Sequence, residues 1–423
     1  MTIPPQDQFR RRVDQLQQLE HSLEQLDDDL AGSAIDVERI LRQTVPSDEV
    51  MFVAHVLQLQ TKARRKLGDG FWWCDERSLA QSTPSAVAEL KSSWLPSGDS
   101  FDLCCGIGAD GIAFSNSQAH DSTLQLVDLD PTIAAMARRN LDNHGSSAST
   151  AIVRAQNVED IVIANAALHL DPDRRSDNRR TTQVDCYSPP WSFAERCFDQ
   201  STAALVKIAP ASIVDEHPER HRAWISLNGS VREQTILSGE AISLAEKTLA
   251  AKLLAAKSPD QKSPAALIKP GGRSAISLRS DSISVFHITA DIFQTATAEV
   301  VQTPKSFIID PDAAIRAATL TESFAQQHDL SMLGGPTGFL TSDTDLENPA
   351  VISKQVLWTG SSDDRKLRKT LRQMNSFPQR VKTRSSSSDA NALERRYRTC
   401  GEHPITLWIG KAGRRQYAVI SEA

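Results

Sequence analysis

The sequence predicts an α/β protein with a mainly parallel sheet, and three observations support this fold class. From about residue 98 onward, short aliphatic runs alternate with helical patterns, which is typical of strand–helix–strand units. A glycine-rich loop follows the first of these strands at residues 104–111. Two late strands, at residues 224–227 and 231–237, flank an Asn-Gly turn that favours a hairpin. Together these features predict a seven-stranded Rossmann-like sheet rather than a plain dinucleotide-binding fold.

Helical patterns precede the predicted sheet. Apolar residues recur every three or four positions from Phe9 to Leu30, which predicts an amphipathic helix. Further helices are predicted within residues 36–67 and 84–94, before a break at residues 96–98. We therefore expect an N-terminal amphipathic helix extension over residues 1–45 and a helical cap over residues 46–97.

The sheet domain is predicted to span residues 98–300. Its first strand ends at Cys104, and the other strands are expected at residues 124–128, 151–154, 166–170 and 203–208, then in the hairpin, then at 274–278 and 282–288. Residues 313–327 have a helical apolar face, so residues 301–345 are expected to form a connecting helical segment. A C-terminal α+β module is predicted over residues 346–423, with strands at 407–409 and 417–420.

Composition narrows the class of protein. The 423 residues are 40% hydrophobic and 24% charged, as in water-soluble proteins of two or three domains. No apolar run approaches the ~20 residues that cross a bilayer, so no membrane partner is expected. The six cysteines are scattered without a C-x-x-C pair. They predict neither a metal site nor a disulfide framework, and they favour a cytoplasmic location.

Charge is distributed unevenly along the chain. The net charge is −6, but residues 363–415 alone carry +9 and the remainder −15. An acidic body with a basic C-terminal module indicates that only the module meets a polyanion. Five cations of this module recur at helical spacing and are candidates for phosphate contacts: Arg365, Lys366, Arg368, Lys369 and Arg372.

The glycine-rich loop is the first candidate site. Gly106, Gly108 and Gly111 match the G-x-G-x-x-G dinucleotide pattern. Asp110, however, falls where the following helix begins, and a carboxylate there disfavours a pyrophosphate. S-adenosylmethionine carries a sulfonium and an ammonium and no phosphate, so acidic residues attract it. The loop therefore favours this methyl donor, with an NAD-dependent oxidoreductase as a less favoured alternative.

Several segments in a shared order resemble a family of bacterial class I S-adenosylmethionine-dependent methyltransferases with a C-terminal THUMP-like domain. The similarity runs from about residue 45 to the end of the chain. In the sheet domain it rests on residues 102–110, 127–131, 171–175, 187–190 and 206–210; later segments are 309–311, 315–317, 338–341, 367–369 and 413–415. The resemblance implies methyl transfer, with RNA as the expected acceptor and the THUMP-like domain, residues 346–423, as its binding module.

A donor site is expected around the loop. Asp128 lies 22 residues after Gly106, at the end of the second strand, where a carboxylate accepts both ribose hydroxyls in similar folds. Asp102 is expected to meet the methionine ammonium. The remaining donor-site candidates are four residues of the loop and one near the adenine: Cys104, Gly106, Gly108, Asp110 and Asn157.

An acceptor site is expected at the end of the fourth strand. Nucleobase amino-methyltransferases carry a D/N/S-P-P-aromatic motif there, whose first residue and a proline carbonyl accept hydrogen bonds from the target amine. Here Asp171 and Pro172 match the motif, whereas Asp173 replaces the second proline and Arg174 the aromatic residue. Arg174 is a candidate for stacking on a base or for binding phosphate. These residues predict methylation of a base nitrogen.

Other assignments remain open. Ser188-Pro189-Pro190-Trp191 is a second amino-methyltransferase signature, and Tyr187 and Trp191 either stack a flipped base or pack on the body. A ribose 2′-O-methyltransferase would instead use Asp171, Lys207 and Glu233, with the lysine activating the hydroxyl. The first lysine of such a group has three candidates: Lys62, Lys66 and Lys91. A small-molecule methyltransferase and a non-catalytic RNA-binding protein are further alternatives.

Overall fold

The computed structural model describes residues 50–117, 122–145, 150–176, 179–255, 267–280, 282–288, 297–386 and 388–423. The predicted N-terminal amphipathic helix lies outside these residues. The chain divides into two compact units. The first comprises the described residues up to Arg220 together with Gln234–Thr248, and the second comprises His221–Glu233 and the described residues from Leu249 to Ala423.

The helices and strands are numbered here in chain order. The helices are α1 (Val50–Leu67), α2 (Glu76–Gln81), α3 (Ser85–Ser92), α4 (Ala109–Ser117), α5 (Pro131–His144), α6 (Trp191–Gln200), α7 (Glu240–Ala255), α8 (Ala313–Ala317), α9 (Thr321–Gln327), α10 (Asp364–Gln373) and α11 (Ala390–Tyr397). Short 3₁₀ turns cover Val158–Asp160 and Val184–Cys186. The first eleven strands are β1 (Ser100–Leu103), β2 (Thr123–Asp128), β3 (Thr150–Ala155), β4 (Ala167–Leu170), β5 (Arg175–Ser176), β6 (Arg179–Arg180), β7 (Ala203–Ile208), β8 (His221–Leu227), β9 (Ser230–Gly239), β10 (Arg273–Leu278) and β11 (Ile283–Ile288). The others are β12 (Val300–Val301), β13 (Phe307–Pro311), β14 (Ser331–Leu333), β15 (Phe339–Ser342), β16 (Val351–Ser361), β17 (Ser376–Thr383), β18 (His403–Ala412) and β19 (Arg415–Glu422).

The larger sheet has nine strands in the order β11-β10-β8-β9-β7-β4-β1-β2-β3. The sequence predicted seven, and this number is corrected because β10 pairs in parallel with β8 and β11 pairs antiparallel with β10. Strands β1, β2, β3, β4 and β7 run parallel to one another, and β9 runs antiparallel to β7. The carboxyl ends of β1, β2 and β4 therefore meet at one edge, where Leu103 pairs with both Val127 and Leu170.

Burial explains why these strands are visible in the sequence. All residues of β1, β4 and β7 are buried, as in parallel sheets covered on both faces, and most of them are apolar. Helix α5 has equally clear signals. The Asp130 side chain accepts hydrogen bonds from the N–H groups of Thr132 and Ile133, and Pro131 occupies the first helical position.

The segment between α1 and α2 is tied to both α1 and α5. The Gln60 side chain donates to the Trp72 carbonyl at 2.8 Å and accepts from its N–H at 3.0 Å. The Asn140 amide of α5 makes the same reciprocal pair with Trp73, at 2.9 and 2.7 Å. The Trp72 ring also stacks on His144, with ring centroids 4.0 Å apart. Buried paired amides therefore fix the residues that lead into α2.

The second unit contains an eight-stranded sheet in the order β12-β14-β15-β13-β16-β19-β18-β17. Residues 301–345, where a connecting helical segment was expected, contribute β13, β14 and β15 to this sheet together with two short helices. The predicted helix over residues 313–327 is interrupted because Thr319 adopts a positive φ of 60°. The two terminal strands are confirmed as the antiparallel pair β18 and β19. Within the described residues, no helix combines the length and apolarity needed to cross a membrane.

Candidate functional site

The loop after β1 makes a tight turn at the sheet edge. Cys104, Gly106 and Gly108 all adopt positive φ angles, of 59°, 56° and 86°, before α4 begins at Ala109. Glycine adopts this conformation without steric cost. Gly111 has a different role, because a Cβ there would come within 2.8 Å of the Asp102 Oδ2 atom. The missing side chain lets α4 pack closely on the sheet.

Asp128 stands beside this loop at the end of β2. Its Oδ2 atom accepts the Gly106 N–H at 3.0 Å, and its Oδ1 atom accepts the Asp130 N–H at 3.0 Å. Burial raises the pKa of the Asp128 carboxyl, which the two N–H donors oppose. Each carboxylate oxygen has a further lone pair to offer a ligand hydroxyl. Leu129, next in the chain, is 67% exposed and presents an apolar surface.

A cleft of about 600 Å³ lies at this sheet edge. Its walls come from the glycine-rich loop, the ends of β2 and β4, and helix α2 with the residues that follow it. The sequence-predicted site residues that line the cleft are Cys104, Gly106, Asp110, Asp128, Asp171, Pro172 and Arg174. The structure therefore brings the expected donor and acceptor segments to one cavity. Gly108, Asp102, Asn157 and Lys207 are not among its lining residues.

Asp102 and Asn157 have other partners than those predicted. Asp102 is 1% exposed, and its Oδ1 atom accepts from His169 Nδ1 at 2.8 Å. Burial raises the pKa of its carboxyl despite this bond, and its Oδ2 atom has no hydrogen-bond partner among the described residues. Asn157 caps the 3₁₀ turn at Val158–Asp160, where its side chain accepts the Glu159 N–H at 3.1 Å.

A buried chain of polar groups connects Asp102 to the cleft. The Lys91 ammonium lies 3.3 Å from His169 Nε2 and forms a 2.8 Å ion pair with Asp110. The Thr83 hydroxyl then donates to Asp110 Oδ2 at 2.5 Å.

Lys207 completes the chain by donating to Thr83 Oγ1 at 2.8 Å and to Asp171 Oδ2 at 2.6 Å. This series of polar groups thus joins Asp102, before the glycine-rich loop, to Asp171, the carboxylate that follows β4.

The pKa of the Asp110 carboxyl shows the electrostatic effect of this series of polar groups. Burial alone would raise the pKa of its carboxyl, but Lys91, with His169 and Lys207, outweighs burial and holds this pKa below the ordinary 3.8. The unfolded chain therefore binds a proton at this residue more readily than the folded chain. This contribution to stability is present above the unfolded pKa and is lost as the pH falls below it.

We expect the urea midpoint to fall between about pH 5 and pH 3, and to fall less steeply in an Asp110→Asn variant. Urea unfolding at several pH values tests this expectation. Equal slopes in the two proteins would show that Asp110 does not couple folding to proton binding.

The loop after β4 is attached to α2 through Asp173, the residue that departs from the amino-methyltransferase motif. Asp173 accepts from Arg77 at 2.8 Å and from Gln81 at 3.1 Å. Its backbone pairs with that of Ser188, with N–H to carbonyl distances of 2.9 and 3.0 Å. The two rival motifs, at residues 171–174 and 188–191, are thus adjacent walls of one site. Arg174 lines the cleft, and its guanidinium forms no ion pair with a described residue.

Tyr187, which directly precedes the second motif, packs in the apolar core of the first unit. It is buried, its hydroxyl lies 2.6 Å from Ser212 Oγ, and it accepts the Ala209 N–H at 3.2 Å. Trp191 packs against the same apolar core and meets Phe198 edge to face. The alternative in which Tyr187 stacks a flipped base is therefore not supported.

The positions of His169 and Lys91 in the buried chain of polar groups were not predicted, because their local sequence signals are weak. His169 sits in the buried strand β4 and has no polar neighbour in sequence. Lys91 was considered only as a candidate activating lysine, although it lies on the apolar face of α3 among Val87, Ala88 and Leu90. A lysine within an apolar helical stripe is the one local sign of a buried charge.

The chemistry of the cleft favours binding and positioning. Burial raises the pKa of the Cys104 and Cys105 thiols well above their usual value, so neither is a ready thiolate nucleophile. Among the residues that the structure describes, no group of three or more His, Cys, Asp or Glu side chains is placed to hold a metal ion. The paired Asp128 carboxylate, the exposed Leu129 and the glycine turn fit a nucleoside carrying a cationic group.

These features are those of an α/β protein with a cleft at the carboxyl edge of its parallel strands, where ligands bind in such sheets. No protein-family model matches the chain. An uncharacterized S-adenosylmethionine-dependent methyltransferase of Mycobacterium tuberculosis, from strains CDC 1551 / Oshkosh and ATCC 25618 / H37Rv, is 26% identical over 383 residues, which is 86% of this chain and 94% of the relative. Among solved structures, a protein assigned as a methyltransferase from Porphyromonas gingivalis W83 has a TM-score of 0.71 and 16% identity, covering 95% of this chain and 98% of that one.

The structural similarity supports the fold, and the curated relatives support the enzyme class. They confirm the predicted enzyme class, an S-adenosylmethionine-dependent methyltransferase, and the predicted methyl donor. The described residues of the cleft fit this donor, because six aspartates and two arginines line it, and an acidic site suits a sulfonium and an ammonium.

Proposed function

We propose that this cytoplasmic enzyme methylates a base nitrogen of a structured RNA, such as tRNA or rRNA. The observation that carries the proposal is the position of Asp171 and Pro172. They line the same cleft as the donor loop and Asp128. Methyl transfer is an in-line displacement, so holding donor and acceptor in one cavity supplies much of the catalysis.

The donor half of the cleft would hold S-adenosylmethionine through three kinds of contact. The Asp128 carboxylate is oriented by two N–H groups to accept the ribose hydroxyls. Leu129 offers an apolar face to the adenine, and the turn at Cys104–Gly106 offers backbone close to the methionine part. When bound, the donor supplies an electrophilic methyl group on its sulfonium.

The acceptor half would orient the target amine. The Asp171 side chain is 24% exposed, and its 2.6 Å ion pair with Lys207 fixes one carboxylate oxygen. The other oxygen and the Pro172 carbonyl are acceptors for the amine hydrogens, which would direct the nitrogen lone pair toward the methyl group. Arg174 lines this wall without an ion pair to a described residue, so it suits a phosphate or the face of a flanking base.

The geometry favours the base nitrogen over the ribose oxygen. A ribose methyltransferase would need a lysine at the acceptor hydroxyl, but Lys207 is 4% exposed and is bonded to Thr83 and Asp171. Of the candidate first lysines, Lys91 is paired with buried Asp110, and Lys66 donates to the Leu79 carbonyl at 2.6 Å. These lysines are therefore engaged in structural contacts rather than presented to a substrate.

RNA as the acceptor rests on the basic C-terminal module, which we propose to be THUMP-like. Helix α10 exposes four cations along one stretch: Arg365, Lys366, Lys369 and Arg372. Its Leu367 and Leu371 are buried, so the helix has an apolar inner face and a cationic outer face. A cationic outer face of this kind suits phosphate contacts on a polynucleotide.

The test uses purified enzyme, bulk RNA and S-adenosylmethionine with a labelled methyl group. We expect label in RNA, in an N-methylated nucleoside. Asp171→Ala should lower kcat by about 100-fold or more, because the amine loses the acceptor that orients it. Asp171→Asn should also lower kcat, because its single amide oxygen cannot accept from both Lys207 and the target amine.

Each other result of this experiment would indicate a different acceptor or acceptor site. Label in a 2′-O-methylated nucleoside would contradict base methylation and restore the ribose alternative. Donor binding without label in any RNA would favour a small-molecule acceptor. Full turnover by Asp171→Ala would move the acceptor site to residues 188–191.

A further inference from the structure

Three cations of the second unit converge on one buried carboxylate. Asp310, the next-to-last residue of β13, is 6% exposed. Its Oδ2 atom accepts from Lys382 at 2.7 Å, and its Oδ1 atom pairs with Arg316 at 3.0 Å and with Arg384 at 2.9 Å. We call Asp310, Arg316, Lys382 and Arg384 the Asp310 cluster. The sequence resemblance includes Asp310 and Arg316, but methyl transfer gives them no role.

The cluster carries a surplus of positive charge. Within the described residues, neither Lys382 nor Arg384 has a second carboxylate at ion-pair distance. Burial lowers the pKa of Arg316 and of Lys382, and the neighbouring Arg384 lowers both further; Asp310 opposes both shifts, and Asp312 also opposes that of Arg316. The three side chains are thus brought together against their mutual repulsion. Such an arrangement suits an anion that is itself not part of the protein.

Aromatic rings hold the cations in place. Lys382 lies over the Trp408 ring at 5.2 Å, and Arg384 lies over the Phe339 ring at 5.4 Å. The two rings meet edge to face, 5.1 Å apart, and both are buried. A cation fixed on a rigid ring loses little conformational freedom when a ligand binds.

The cluster also reaches solvent. The side chains of Lys382, Arg384 and Arg316 are 16%, 24% and 25% exposed, whereas the carboxylate beneath them is buried. A ligand approaching from solvent therefore meets the cations first. Lys382 has two N–H donors beyond the one given to Asp310.

We infer that the Asp310 cluster is a binding site for a phosphate group, with Arg316, Lys382 and Arg384 as its donors. Guanidinium and ammonium groups gathered around one carboxylate can bind the oxygens of a phosphate, and Asp310 keeps the cations together in its absence. The site itself does not depend on the proposed function. Its assignment to the backbone of the acceptor RNA does rest on that proposal.

The first experiment titrates the full-length protein with inorganic phosphate and measures binding by calorimetry. We expect Lys382→Gln and Arg384→Gln each to weaken binding by about tenfold or more, because each removes a hydrogen bond to a charged group. The matched control is Lys305→Gln, which removes one cation of the same unit from an exposed pair with Glu299. Binding by the two cluster variants equal to that of the control would overturn the inference.

A second variant separates a phosphate site from a purely structural ion cluster. Asp310→Asn removes the competing negative charge, so phosphate should bind at least about threefold more tightly and raise the Tm of this variant more than that of the wild type. A Tm that falls without recovery in phosphate would mean that the cations only stabilise the fold, and it would overturn the inference.

The source of the phosphate is decided with an RNA oligonucleotide that has hydroxyl groups at both ends. If the backbone occupies the site, Arg384→Gln should weaken binding and reduce the slope of log K against log salt by about one. If Arg384→Gln weakens the binding of inorganic phosphate but not that of the oligonucleotide, the site binds a free or terminal phosphate instead. Because neither arm measures methyl transfer, failure of the proposed function would be seen separately.

Discussion

Replacing Asp128 with alanine is expected to weaken the binding of S-adenosylmethionine by about 100-fold. The carboxylate is oriented by the Gly106 and Asp130 N–H groups and has lone pairs left for the two ribose hydroxyls. A hydrogen bond to a charged group is worth about 1.5–3 kcal/mol, so losing one or two of them gives an effect of this size. Calorimetric titration of the purified variant with the donor measures it.

The neighbouring carboxylate provides the control for this experiment. Asp130 caps α5 through the Thr132 and Ile133 N–H groups, and asparagine is an equally good cap. Asp130→Asn should therefore bind the donor within about threefold of the wild type. An Asp128→Ala protein that binds as well as this control would remove the ribose assignment.

Replacing Lys91 with methionine is expected to cause the largest loss of stability. Lys91 is fully buried and lies 2.8 Å from Asp110, which is itself buried. Removing one partner of such a pair leaves an uncompensated charge in the interior, which costs about 3–5 kcal/mol. Urea unfolding should show a correspondingly lower free energy of unfolding. The similar length of methionine keeps the loss of packing small.

Two comparisons identify the cause of that loss. The double variant Lys91→Met, Asp110→Asn should recover about half or more of the free energy of unfolding that Lys91→Met loses, because it removes the unpaired charge. Arg77→Gln breaks the exposed pair with Asp173, whose side chains are 53% and 36% accessible, and should cost less than about 1 kcal/mol. If the double variant is no more stable than Lys91→Met, lost packing rather than an unpaired charge explains the effect.

Local patterns were sufficient for the sheet edge that forms the site. The strands β1, β4 and β7 are buried throughout and are mostly apolar, and Asp128 ends β2 at the spacing expected for a ribose ligand. The Asn-Gly turn at residues 228–229 placed the hairpin between β8 and β9. In each case the physical cause acts over a few neighbouring residues.

Contacts between distant residues were not predictable in the same way. His169 and Asp102 are 67 residues apart, and Lys207 and Thr83 are 124 apart, so no local pattern couples them. The prediction of a connecting helical segment over residues 301–345 was wrong for another reason. The strands of this segment are short, and the helical periodicity of residues 313–327 continues across the break at Thr319.

The attachment of Asp173 to α2 has an evolutionary consequence. Because its carboxylate accepts from Arg77 and Gln81, a change at residue 173 costs little stability but releases α2 from the loop after β4. Relatives that carry the ordinary proline at this position would leave the arginine without its partner, and they should differ at positions 77 and 81 as well. Covariation of these three positions across the lineage would then mark which sequences share this way of closing the acceptor site, whatever their target.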